Sequence, residues 1–305
     1  MTIYAMPIII IINIVIFVNT AIKGVFIMKK IVTIQDISCV GKCSLTVALP
    51  IISAMGVETA VIPTAVLSTH TMFSRFTFHD LTQEIDPIAD HWKEEKIEFD
   101  AIYTGYLGSF EQIALVSKFF DTFKKDDNII FVDPVMADHG KLYPAFDEAF
   151  AKEMAKLCGK ADIIVPNITE ACFMTDSEYK EVYDEAYIID LLKKLVALGA
   201  KKAVLTGVSL KDGDTGVMGM DSATGETFFY SHKKLPVSFH GTGDIFASTA
   251  VGALMNGFSM EDSFRIAADY TAKTIAVTVD TDRDMWYGVN FEQTIPDLLK
   301  SIGKV

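Results

Sequence analysis

The chain has 305 residues, 50% hydrophobic and 22% charged, a balance that excludes wholesale disorder, collagen and coiled coil. Its 27 Lys and Arg against 40 Asp and Glu leave a net charge of -13, so the overall electrostatic footprint of a nucleic-acid binder is missing. Four cysteines (Cys39, Cys43, Cys158 and Cys172) lack the spacing of a zinc or redox motif and read as reduced thiols, which points to a cytoplasmic setting.

Residues 3–18 read IYAMPIIIIINIVIFV, with 14 of 16 apolar. A membrane-spanning helix needs ~20 apolar residues, and this run is shorter and holds Pro7 and Asn13. A secretion signal needs basic residues ahead of its apolar core, and none precede it. Residues 1–27 are expected to form an apolar extension outside the fold, with an anchor or a secretion signal as the competing readings. Residues 28–305 are expected to form one domain.

From Lys30 onward, β-rich runs alternate with helical patterns. Strands are predicted at 31–35, 59–62, 101–104, 129–132, 163–165 and 203–206. Helices are predicted at 44–55, 81–95, 110–125, 144–158 and 186–198. The stretch 216–230 breaks the rhythm and reads as an antiparallel edge hairpin around Ala223-Thr224-Gly225. Helices at 242–256, 260–279 and 291–301 close the chain. Strand–helix alternation predicts a mostly parallel sheet flanked by helices. In such sheets ligands sit beyond the carboxyl ends of the strands, so the residues just after each strand carry the functional interest.

Three segments there combine carboxylates, hydroxyls and glycines. His240-Gly241-Thr242-Gly243-Asp244 leads straight into a helix. Two glycines let the backbone curl so that its N–H groups point one way, and a helix start adds about half a positive charge. That makes an anion cradle with Asp244 beside it; the competing reading of Asp244 is a plain helix-dipole partner. Pro166-Asn167-Ile168-Thr169-Glu170 places Asn167 and Glu170 on one face of a starting helix. They suit a hydrated Mg²⁺, or else an ordinary helix cap with a carboxylate three residues on. Asp133, with Asp138 five residues later, suits a metal or nucleotide site, or else an Asp-Pro turn. Two tempting motifs fail. Gly41-Lys42-Cys43-Ser44 resembles the tail of a phosphate loop, but Cys43 stands where Ser or Thr is needed. No Gly-x-Gly-x-x-Gly follows the first strand, which disfavours a nicotinamide dehydrogenase.

Gly241-Thr242-Gly243-Asp244, with Asn167-x-x-Glu170 upstream, resembles the ribokinase-like superfamily, and most closely its pyridoxal/pyridoxamine kinase family. Thr33-Ile34-Gln35, Ser68-Thr69-His70-Thr71, Thr104-Gly105-Tyr106-Leu107-Gly108-Ser109 and Asp133-Pro134-Val135-Met136 occur in family order from about Met28 onward. The resemblance implies a three-layer α/β/α fold with a small antiparallel hairpin. It implies ATP-dependent phosphorylation of the 5′-hydroxymethyl of pyridoxal, pyridoxine or pyridoxamine, with Mg²⁺ and a monovalent cation such as K⁺. The runner-up is a hydroxymethylpyrimidine or sugar kinase. Asp244 would be the base, and Gly241, Thr242 and Gly243 the anion hole. Asp133, Asp138, Val165, Asn167, Glu170, Thr206 and Gly243 would surround the nucleotide, with Asp133 and Glu170 toward the metal. Asp36, His70, Thr71, Tyr106 and Asp244 would meet the vitamer. Asp36 stands where the family commonly has Ser, and Met72 where relatives carry a polar residue. A homodimer is expected, with no nucleic-acid partner.

Overall fold

The computed structural model describes residues 28–281 and 286–305, so the extension expected at 1–27 lies outside the described residues. The elements run β1 (Lys30–Ser38), α1 (Leu45–Ala54), β2 (Glu58–Leu67), β3 (Phe78–Asp80), α2 (Ile85–Glu94), β4 (Ala101–Thr104) and α3 (Phe110–Phe123). Then follow β5 (Ile129–Val132), β6 (Ala137–Asp138), β7 (Lys141–Leu142), α4 (Glu148–Cys158), β8 (Ile163–Ile164), α5 (Ile168–Thr175) and α6 (Glu185–Ala197). The last third holds β9 (Lys202–Val208), β10 (Asp214–Asp221), β11 (Thr227–Lys233), α7 (Thr242–Met255), α8 (Met260–Val279) and α9 (Phe291–Ser301). No helix among the described residues is long and apolar enough to cross a membrane.

Nine strands form one sheet in the order β11-β10-β9-β8-β5-β4-β1-β2-β3. The six from β9 to β2 are mutually parallel, while β10 with β11 and β3 add antiparallel edges. The hairpin expected around Ala223 is thus β10–β11. The central strands are buried on both faces, which is why they read as apolar runs rather than as alternation. Alternation survives as a choice between two cores. Val32, Ile34, Ile102 and Val132 pack with residues of α2 to α6, and Ile31, Tyr103 and Phe131 with α1, α7 and α8. The result is the expected α/β/α layering.

Helix starts explain most boundaries. Ser109, Asp147, Asn167, Asp184 and Ser259 each accept a first-turn N–H with their side chain. The cap at Asp147 starts α4 at Glu148, later than the predicted 144, because Pro144 lies in the approach and not in the first turn. The small β6–β7 hairpin is a feature that the sequence pattern hides. Its turn residues, His139 and Gly140, both have positive φ, as a two-residue hairpin loop requires.

Candidate active site

The carboxyl edge of the sheet gathers acids from distant parts of the chain. Asp36 lies near the end of β1, Asp133 directly follows β5, Glu170 sits in the first turn of α5 and Asp244 in the first turn of α7. Burial raises all four carboxyls above the usual range. Asp244, which also feels Asp36, is pushed up to about 7. Asp133 is raised by burial and by the charges of Glu170 and Asp244. Glu170 is raised by burial against three backbone N–H donors, with Asp138 adding to the rise. Asp36 is raised by burial although Ser44 and Ser38 hydroxyls donate to it. No Lys or Arg pairs with any of the four among the described residues. Buried acids without counter-ions are costly, and such clusters mark sites that receive a cation or perform acid–base work.

Helix α7 opens the other half of the site. Its N-terminal residue Gly241 is left-handed (φ 81°) and offers no side-chain cap. A Cβ at Gly241 would lie 1.8 Å from the Lys42 carbonyl oxygen, so only glycine fits. Gly243 is the opposite case: a Cβ there would meet nothing within 4 Å, so the turn opens onto free space. First-turn N–H groups have no partner within a helix. At Thr242 and Gly243 no other protein group takes them among the described residues. The Thr242 hydroxyl is engaged, donating to the Phe239 carbonyl at 3.1 Å.

Glu170 does two jobs at once. Its Oε2 accepts the Asn167 N–H at 2.9 Å, while the Glu170 N–H donates to Asn167 Oδ1 at 2.9 Å, a complete capping box. Its Oε1 accepts the Met136 N–H at 3.1 Å, tying the loop after β5 to α5. Asn167 Nδ2 donates to the Ala137 carbonyl at 2.8 Å. Of the two readings of the Asn167–Glu170 pair, the helix cap is what the hydrogen bonds show, and the same carboxylate stands beside Asp133.

The remaining expected residues fall in two groups. Val165 is buried, and an isolated parallel bridge joins Asn167 to Thr206, so these line up with Asp133 across the strand ends. Asp138 is exposed on β6, where its Oδ1 accepts the His139 N–H. Tyr106 is half-buried beside Phe146, and both burial and Asp36 raise its phenol. Thr71 is exposed. His70 is buried, and both ring nitrogens are taken: Nδ1 accepts the Met72 N–H at 3.2 Å, and Nε2 lies 2.9 Å from the Tyr287 carbonyl. It builds the wall, joining the 68–73 loop to the segment before α9, rather than offering a free nitrogen.

Three neighbours were given no role at the site by the sequence reading. His240 stacks against His70 with centroids 4.3 Å apart, and burial with that neighbour lowers it to about 4, so its ring stays neutral. Tyr143 feels the charges of Glu170, Asp138, Asp133 and Asp244, which together with burial raise its phenol. The Gly41–Ser44 loop, rejected as a phosphate loop, still lines the site because it packs on Gly241. Its one local signal is Gly41, at φ 117° against the His70 ring.

Comparison with known proteins identifies relatives of the whole fold. The profile of the phosphomethylpyrimidine kinase family matches residues 48–287. A putative phosphomethylpyrimidine kinase from Bacteroides thetaiotaomicron, crystallised with pyridoxal, is 38% identical. It superposes with a TM-score of 0.85 over 89% of this chain and 96% of that one. Pyridoxal kinase from Lactobacillus plantarum is 30% identical with a TM-score of 0.82, covering 89% of this chain and 97% of that one. A pyridoxal kinase from Actinobacillus pleuropneumoniae is 27% identical over 270 residues, 83% of this chain and 91% of its own.

Proposed function

The chain belongs to the phosphomethylpyrimidine kinase family and within it to the pyridoxal kinases, and on that footing we propose that it phosphorylates the 5′-hydroxymethyl of a B6 vitamer with ATP. The observation that carries this reading is the uncapped Gly241–Gly243 turn with the half-buried Asp244 carboxylate beside it. Phosphoryl transfer needs an aligned alcohol, a proton acceptor and donors for the moving phosphoryl group, and little else. Asp244 accepts the hydroxymethyl proton as the new O–P bond forms and the bond to the ADP oxygen breaks. The Thr242 and Gly243 N–H groups hold the transferring phosphoryl, helped by the positive end of α7. Asp36 and Tyr106 face the vitamer, and Asn167 and Thr206 the nucleotide.

The acid cluster fits a Mg²⁺ ion. Asp133 accepts no hydrogen bond from any described residue, and Glu170, whose Oε atoms already serve the backbone, lies close enough to raise it. Two hard oxygen donors without a protein counter-ion are what a largely hydrated Mg²⁺ takes. Bound there, it would neutralise nucleotide phosphates. A monovalent cation, a homodimer and a cytoplasmic setting complete the reading. The decisive assay mixes pure protein and ATP with pyridoxal, pyridoxine, pyridoxamine, hydroxymethylpyrimidine and ribose in parallel. Phosphorylation of the vitamers is expected; turnover of hydroxymethylpyrimidine or ribose alone would overturn the proposal.

Two further outcomes are expected. Every site residue lies between Asp36 and Asp244, so residues 28–305 expressed alone should retain full turnover. An inactive or insoluble product, beside an active full-length chain, would show that residues 1–27 matter. Gly243→Ala adds a methyl where the protein leaves open space, so folding should not suffer; Ala is the better helix former by up to ~1 kcal/mol. If that space holds the phosphoryl group, kcat/KM should fall at least about 10-fold, as loss of a well-placed donor geometry does. A variant as active as the parent would remove Gly243 from the cradle.

A further inference from the structure

Ser44, the residue before α1, has φ 50° and ψ −134°, a left-handed conformation that a non-glycine residue adopts only when its surroundings enforce it. Its position explains the enforcement. Its hydroxyl donates to Asp36 Oδ1 at 2.6 Å, and Ser38 donates to the other oxygen at 3.2 Å. Its main chain lies beside the Asp244 carboxylate. Its carbonyl accepts the Ala48 N–H at 2.9 Å and so starts α1. The preceding Lys42 carbonyl packs on Gly241, which fixes the loop against the anion cradle. Ser44 itself is buried, as is Asp36. One strained residue therefore holds Asp36 by its side chain, within a loop that packs on the cradle beside Asp244.

We propose that Ser44 is a positioning residue for the reaction: its hydroxyl locks Asp36 toward the vitamer. The inference rests on the B6 kinase reading and deepens it. No local motif announces the role. A serine in this backbone region costs more than glycine would, and the hydrogen bond to Asp36 is what glycine could not make.

Ser44→Gly tests the contact to Asp36. Glycine adopts φ 50° freely but lacks the hydroxyl. Relief of the backbone strain and loss of the hydrogen bond to buried Asp36 oppose each other, so the variant should melt within a few degrees of the parent. Its KM for the vitamer should rise about 10-fold, the effect of losing one hydrogen bond to a charged group, while kcat changes little. Asp36→Asn should raise KM comparably, and Ser44→Gly added to Asp36→Asn should raise it no further, since both act through one contact. An unchanged KM in Ser44→Gly, or effects that multiply in the double variant, would overturn the proposal. A second measurement needs no turnover. In ¹³C-carboxyl NMR of the whole protein, Asp36 should titrate at higher pH in Ser44→Gly, because a hydrogen bond to its ionised form is gone. An unmoved Asp36 titration would also overturn it. If the unaltered protein phosphorylates no vitamer, the kinase reading fails, and the Asp36 titration alone then decides whether Ser44 holds Asp36.

Discussion

Asp244→Asn is expected to lower kcat at least about 100-fold while the protein folds and binds ATP as before, because general-base help is worth roughly 10²–10⁴-fold. Asparagine keeps the size and most of the hydrogen bonding of Asp244 but cannot take up the proton of the alcohol. The electrostatics sharpen the expectation. Burial, with Asp36 nearby, holds the Asp244 carboxyl near 7, so the parent enzyme should lose kcat/KM as pH falls below about 7. The variant should lack that acidic limb. Stability should move the other way. A carboxyl whose folded pKa is raised binds its proton in the folded state between about 4 and 7, where the unfolded chain has released it. Its stabilising contribution is complete at low pH and is lost as pH rises through about 7. Asn carries no such penalty, so the variant should melt higher than the parent at pH 8. If Asp244 merely complements the dipole of α7, the opposite holds: about 0.3–1 kcal/mol of stability goes and turnover stays. Thermal melts and steady-state kinetics on one variant decide between these roles.

Much of this molecule is legible in its sequence, for identifiable reasons. The strands at 101–104 and 129–132 stand out as short apolar runs closed by Gly, Asp or Pro, and they form β4 and β5 with those bounds. The helix at 260–279 carries its own start signal in Ser259, followed by Glu261 and Asp262. What stays hidden is either too short or too distant. Strands β6 and β7 have two residues each, below any periodicity, and β3 has three. In the site, Asp133, Glu170 and Asp244 are legible because each lies just past a strand or in a first helical turn, whereas Asp36, expected just after a strand ending at 35, lies within β1, which runs on to Ser38. Their mutual approach is not, since it depends on sheet order. The contact of the Gly41–Ser44 loop with Gly241 joins segments about two hundred residues apart, which no local spacing encodes. His70 shows the converse: its residue type suggests a ligand contact, but its two nitrogens are spent on loop backbone.

Glu170→Gln should damage both the fold and the nucleotide site, and the two effects can be read apart. A glutamate presents two acceptor oxygens, one for the Asn167 N–H and one for the Met136 N–H. A glutamine has one oxygen, and its amide group turns donors toward the other N–H. A buried donor left without a partner costs about 1–3 kcal/mol, which for a domain of this size lowers Tm by roughly 3–10 °C. That loss follows from the capping box alone and would occur in any protein with this contact. The second effect depends on Asp133. With Glu170 neutral, the acid pair loses half its charge and an oxygen donor, so the Mg²⁺ and ATP concentrations needed for half-maximal rate should rise ~10–100-fold, the usual range when the shell around a metal is altered. Vitamer KM should stay within about 3-fold, since hydrogen bonds from Ser44 and Ser38, not Glu170, hold Asp36. Assays at a temperature well below the variant's Tm remove the stability effect from the kinetics. A lowered Tm with unchanged Mg²⁺ and ATP dependence would leave Glu170 as a helix cap only, and Asp133 would then have to meet the metal without it.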